Sequence, residues 1–203
     1  MADGIEFVLF DLGGVLIDPG GVGPMRALAD VQTDEELWTR WLGCRWVRAF
    51  EAGRCSPEEF AAGVVDDWGL ALAPAAFLET FGGWPGDPYP GAEDLVAEVR
   101  DAVGVGFLSN ANALQWHANF AGIALTRAFE FRFLSFELGM VKPDREIFEE
   151  VASRLPVAPG QVLFLDDNAA NVAGAHASGF TARHVRGVDE ARRALAEAGV
   201  LVT

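Results

Sequence analysis

The sequence predicts an α/β protein of three layers, a parallel sheet core with an inserted all-helical segment, and three observations carry that prediction. Short apolar runs alternate with helix-patterned segments through the second half of the chain, which is the signature of a parallel sheet covered on both faces. A first apolar run, Ile5 to Phe10, stands apart from the others, separated from them by a helix-patterned stretch over residues 18–87. Clusters of glycine and proline bracket that stretch at both ends.

Taken in order, Ile5 to Phe10 is apolar and β-branched except at Glu6, as a buried parallel strand requires, and it ends at Asp11. After Gly13-Gly14 and Pro19-Gly20-Gly21, residues 24–81 read as several helices, with Ser56-Pro57-Glu58-Glu59 a helix start. Trp38, Trp41 and Trp46 fall near one helix face and read as a packing stripe. Gly82-Gly83-Trp84-Pro85-Gly86-Asp87-Pro88 is a turn-rich linker. Helices are then expected over 92–103, 113–121, 144–155 and 169–178, and strands over 105–108, 131–134, 162–165 and 182–185. Residues 1–17 and 88–203 make one core and 18–87 a helical cap on two hinge-like linkers, with ligands expected beyond the carboxyl ends of the strands.

Composition narrows the function. The 203 residues carry 30 acidic and 15 basic side chains, a net charge of −15, so a nucleic acid, whose affinity comes from Lys and Arg clusters, is not the partner. The same charge repels any anionic ligand, so an anion site must be made locally positive by a metal or an isolated cation. A single lysine, Lys142, is present. No apolar run approaches the roughly 20 residues needed to span a bilayer. No membrane partner is expected, and the acidic start of the chain points to the cytoplasm. Cys44 and Cys55 have neither metal-ligand spacing nor a second pair, and His117, His176 and His184 are scattered, so none of these is expected as a ligand.

Polar residues follow the strands at four places. They are Asp11 in Phe-Asp-Leu-Gly-Gly-Val-Leu, Ser109 and Asn110 in Phe-Leu-Ser-Asn, Lys142 in Gly-Met-Val-Lys-Pro, and Asp166 with Asp167 after Val-Leu-Phe-Leu. Each alone reads more readily as a helix cap. Their joint order resembles the haloacid dehalogenase superfamily over nearly the whole chain, and the wording is similar to the branch containing bacterial glucose-1-phosphatases. That resemblance implies a Rossmann-like core with a helical cap and a phosphatase of small phosphorylated metabolites, monomeric or homodimeric. It makes Asp11 the nucleophile, Ser109 and Asn110 the phosphate binders, Lys142 the catalytic cation, and Asp166 and Asp167 the metal ligands.

The chemistry of those residue types agrees. Phosphoryl transfer asks a protein for positioning and charge neutralisation, and a carboxylate attacking phosphorus divides the reaction into two easier steps. Three clustered carboxylates repel one another unless a cation sits among them, and Mg2+, an oxygen-seeking ion, meets that need. Its expected ligands are Asp11, the Gly13 carbonyl, Asp167 and Asp166, with Asn171 one turn further on. In the cap, Arg54 is the arginine expected at substrate, while Arg45 and Arg48 read as solvated helix residues.

The chain departs from the superfamily pattern at Gly13, where most of its phosphatases place a second aspartate as acid and base. Proton transfer by a placed side chain is worth about 10²- to 10⁴-fold, so substrates whose leaving groups depart easily, such as an anomeric sugar phosphate, are favoured. Asp18 reads as a turn residue or a substitute proton donor. Two other readings stand beside the phosphatase: a non-hydrolysing binder of a phosphorylated ligand or protein partner, and a 2-haloacid dehalogenase. The second would leave the Asp166-Asp167 charge uncompensated.

Overall fold

The computed structural model describes residues 4–201. Five parallel strands, β1 (Phe7–Phe10), β2 (Gly104–Ser109), β3 (Phe131–Leu134), β4 (Val162–Asp166) and β5 (Thr181–His184), form one sheet in the order β3-β2-β1-β4-β5. All four residues of β1 are buried, as befits a strand covered on both faces.

Alternate side chains supply two separate cores. Val8, Phe10, Phe107 and Leu165 point to one face, where α6 (Ala92–Ala102), α8 (Ala124–Arg127) and α12 (Gly187–Glu197) cover them. Phe7, Leu9, Leu108 and Phe164 point to the other, beneath α10 (Arg145–Arg154) and α11 (Ala169–Ala177). The chain leaves β1 for β2 on one side and reaches β4 on the other, so the sheet order reverses at β1, where a crevice opens for ligands.

Between β1 and β2 come α1 (Val22–Ala29), α2 (Asp34–Gly43), α3 (Arg45–Glu51), α4 (Pro57–Trp68) and α5 (Pro74–Gly82). They bury their own cluster, in which Phe50 and Phe60 stack with ring centroids 4.3 Å apart. The helix expected at Ser56 is present. Its Ser56 and Glu59 side chains satisfy each other's backbone N–H groups, with Pro57 in the first turn. The two linkers run side by side: Asp18 N–H donates to the Asp87 carbonyl at 3.1 Å and Gly86 N–H to the Asp18 carbonyl at 2.9 Å. Among the described residues no helix is long and apolar enough to cross a membrane.

Two expectations need correction. The tryptophans do not share one helix face, because the extended residue Cys44 ends α2 and begins α3. Trp46 on α3 packs over Gly63, where a Cβ would lie 2.2 Å from its ring, whereas Trp38 on α2 stands outside the buried cluster. The helix expected over 113–121 is instead α7 (Ala113–Gln115) followed by a π-helical turn, Trp116–Phe120. That wider turn buries Trp116 against Phe107, with ring centroids 5.8 Å apart, while Gln115 reaches the Phe81 carbonyl of the insertion at 2.8 Å. A short α9 (Ser135–Leu138) lies under the insertion, where Ser135 Oγ donates to the Glu51 carbonyl at 2.6 Å.

Candidate active site

Sheet register assembles the site. Phe10 pairs with Phe107 on one side and Leu165 on the other, so Asp11, one residue on, meets the ends of β2 and β4. Asp11 N–H donates to the Leu165 carbonyl at 2.7 Å, which fixes the first residue beyond the strand. Asp11, Asp166 and Asp167 thereby offer three carboxylate oxygens all within 4.8 Å of one another.

Lys142 is the cation among them and is 1% exposed. Its Nζ reaches Asp166 Oδ2 at 2.6 Å, Asp11 Oδ1 at 3.0 Å and the Leu108 carbonyl at 3.0 Å, which uses all three ammonium protons. Burial alone would favour the neutral amine, but Asp11 and Asp166 outweigh it and hold the lysine pKa above its ordinary range. Asn110 places this residue, accepting from Lys142 N–H at 2.8 Å and donating to its carbonyl at 3.0 Å. The Asn110 side chain, expected on phosphate, is thus engaged by the Lys142 backbone. Ser109 ends β2, buried and facing the same cavity.

Three carboxylates against one ammonium leave two negative charges when all are ionised. Burial pushes Asp11 up to about 8, opposed by Lys142 and reinforced by Asp166 and Asp167. Burial and Asp166 raise Asp167 to about 6, against Lys142, Arg186 and His184. Such shifts record a site short of positive charge.

A magnesium ion fits the donor set. Asp166 is already tied to Lys142, to Asn168 N–H at 2.8 Å and to Asn171 Nδ2 at 3.0 Å. Asn171 Oδ1, on an amide lying against Asp166, is buried without a hydrogen-bond partner among the described residues. An orphaned oxygen beside surplus carboxylates is what an oxygen-ligated cation would satisfy. Gly14 makes the approach of Asp167 feasible: its φ is +73° and a Cβ there would sit 2.2 Å from Asp167 Oδ2.

A cavity of about 700 Å³ opens above this cluster between the sheet edge and the insertion. Glu51, the last residue of α3, lines it and accepts from Trp41 Nε1 at 3.1 Å. Burial raises Glu51 to about 7, against the Trp41 hydrogen bond and the charges of Lys142 and Arg48. Glu51 is not among the residues that the sequence led one to expect at the site. Its signal was an acidic side chain between buried Phe50 and Ala52, at a helix C-terminus where the dipole disfavours negative charge.

Other expected residues lie elsewhere. Arg54 does not line the cavity; its guanidinium donates to the Gly139 carbonyl at 2.5 Å and so ties the insertion to the core. Arg48 does the same through Asp144, and Arg45 pairs with Asp67 at 3.4 Å. Asp18 accepts from Gly20 N–H at 2.9 Å as a turn residue. His184, not expected as a ligand, ends β5, lines the cavity and lies 2.7 Å from the Asp167 carbonyl; Arg186 lines it too.

An open parallel sheet with a buried carboxylate, a lysine and a cation-seeking acidic pair at its switch point defines a hydrolase of the α/β class. The chain belongs to the haloacid dehalogenase-like hydrolase family, whose model matches residues 5–179. It is 26% identical to a D-ribitol-5-phosphate phosphatase of Bacteroides thetaiotaomicron, over 83% of this chain and 85% of the relative. It is 27% identical to the sesquiterpene phosphatase astK of Aspergillus oryzae, over 91% of this chain and 92% of that one. A solved HAD family enzyme of Bacteroides thetaiotaomicron, the wild-type protein in complex with magnesium and inorganic phosphate, superposes with a TM-score of 0.67 at 25% identity, covering 90% of this chain and 95% of the other.

Proposed function

We propose that this chain is a magnesium-dependent phosphomonoesterase that passes the phosphoryl group of a small phosphorylated metabolite through Asp11. The observation that carries the reading is the Asp11–Lys142–Asp166–Asp167 cluster at the open sheet edge, whose charge calls for a divalent cation. The two phosphatase relatives and the magnesium- and phosphate-bound neighbour support it.

Asp11 Oδ1 is held by Leu12 N–H at 2.8 Å and by Lys142, which leaves Oδ2 to attack phosphorus. The Asp11–phosphorus bond forms as the bond to the ester oxygen breaks, and water then cleaves the aspartyl phosphate. Asp11, the Gly13 carbonyl, Asp167 and Asn171 would hold the ion, with Asp166 orienting Lys142 beside them. Bound there, magnesium supplies charge neutralisation at the phosphoryl oxygens. Ser109 binds the phosphoryl group. The departing oxygen needs a proton that Gly13 cannot give, and Glu51, with its raised affinity for one, is the cavity carboxyl suited to store it. The insertion acts as the cap that shapes the cavity.

Halide displacement, which needs no metal, is disfavoured, because it would leave Lys142 as the one cation against three carboxylates. The test uses p-nitrophenyl phosphate, whose leaving group needs no proton. Hydrolysis should require Mg2+ and fall at least about 10³-fold in Asp11→Asn, since that change removes the nucleophile. Lys142 is a poorer probe, because breaking a buried ion pair costs about 3–5 kcal/mol of stability. No magnesium-dependent turnover by a folded, magnesium-binding protein would favour the non-hydrolysing reading.

A further inference from the structure

The catalytic end of the cavity is polar; away from it the wall is mainly apolar, with Asp34, Glu35 and Thr39 of α2 at exposed positions along it. Val22, Trp38, Trp41 and Leu42 of the insertion and Trp116 and Phe120 of the core border it. The cations on its wall, Lys142 and Arg186, both belong to the core rather than the insertion. Several polar side chains on the wall are already engaged. Gln115 donates to the Phe81 carbonyl at 2.8 Å and accepts from Asn112 at 2.9 Å, while Trp41 Nε1 and Gly20 N–H each take up one carboxylate oxygen of Glu51 and of Asp18. A polyol chain in this space would set most of its hydroxyls against indole, phenyl and aliphatic surface, where each one left unsatisfied weakens binding.

Trp38 adds a second observation. It is half-buried on α2 yet takes no part in the packed cluster of the insertion, so its indole is apolar surface presented to the cavity. The volume of about 700 Å³ is that of a site for a whole small molecule, well beyond a phosphate and its ester oxygen.

We propose that the alcohol half of the substrate is an apolar group, a hydrocarbon chain or ring system bearing one phosphate, and not a sugar or polyol. The inference rests on the phosphatase reading for its catalytic end and on the cavity wall for the rest. It stands as the alternative to the sugar phosphate expected from the sequence.

The test is a homologous series of n-alkyl phosphates from ethyl to decyl, below their micelle concentrations, with the magnesium-loaded full chain. Each buried methylene is worth about 0.8 kcal/mol, so kcat/KM should climb up to about fourfold per carbon until the cavity is filled. Decyl phosphate should exceed ribitol 5-phosphate and glucose 1-phosphate at least about 10²-fold. Trp38→Gln should flatten the slope. A flat series, or polyol phosphates that match or surpass decyl phosphate, would overturn the proposal. Should p-nitrophenyl phosphate also fail to turn over, the phosphatase reading falls instead. Calorimetry with non-hydrolysable decylphosphonate and methylphosphonate then decides the cavity alone: tighter decyl binding upholds the apolar site and equal binding refutes it.

Discussion

Two adjacent glycines in the loop after β1 have opposite reasons to be glycine. At Gly14 the backbone is left-handed and a Cβ would strike Asp167 Oδ2, so the residue is required if Asp167 is to join Asp11. At Gly13 a Cβ would meet no heavy atom within 4 Å, so sterics do not demand glycine and the missing carboxyl is a matter of chemistry. The expected outcomes diverge accordingly. Gly14→Ala should destabilise the protein by about 1–3 kcal/mol in denaturant unfolding and weaken magnesium binding in calorimetry. Gly13→Asp should fold normally and raise turnover of a poor leaving group such as ethyl phosphate by about 10²-fold or more, while p-nitrophenyl phosphate gains little. Equal gains on both esters would show that proton supply does not limit the parent enzyme.

At the level of elements, strand register carries Asp11, Ser109 and Asp166 to one edge, while the end of α3 brings in Glu51 from the insertion. Burial holds the folded pKa of Glu51 at about 7 against an ordinary 4.5, so the folded chain keeps its proton through that interval and the unfolded chain does not. Stability from this group is therefore complete below pH 4.5 and is lost as pH rises through 7. Unfolding followed from pH 4.5 to 7.5 should show that decline in the parent chain and a shallower one in Glu51→Gln; identical slopes would show that Glu51 does not titrate there. The difference between Asp11 and Glu51 also explains what the sequence made legible. Apolar runs ending in polar residues placed β1, β2 and β4 and the acidic cluster, because parallel strands align such ends without further information. Which way an insertion leans is set by contacts distant in sequence, such as Ser135 to Glu51 and Arg54 to Gly139. Spacing therefore sent Arg54 to the substrate and missed Glu51, Arg186 and His184. The π-helical turn at Trp116 is likewise dictated by packing against Phe107 and not by local pattern.

Across the whole molecule, a net charge of −15 gives every cation a general attraction, so specific binding has to be separated from screening. The acidic cluster supplies the means. Asp11 and Asp167 are raised to about 8 and about 6, so in the ion-free protein their contribution to stability is present at low pH and lost as pH rises through those values. A bound divalent ion needs the same carboxylates deprotonated and competes with their protons, so its affinity should increase over that range. Magnesium should accordingly raise the melting temperature more at pH 8 than at pH 5.5. An ion at about 100 times its dissociation constant contributes about 2.7 kcal/mol, which for a chain of this size is roughly 5–10 °C. Chelation should reverse the shift. Asp167→Asn should remove most of it while leaving the smaller, pH-insensitive response to sodium chloride at equal ionic strength. A magnesium shift that survives in Asp167→Asn, or that sodium reproduces, would mean the ion only screens surface charge, and the site would lose the cation on which its chemistry depends.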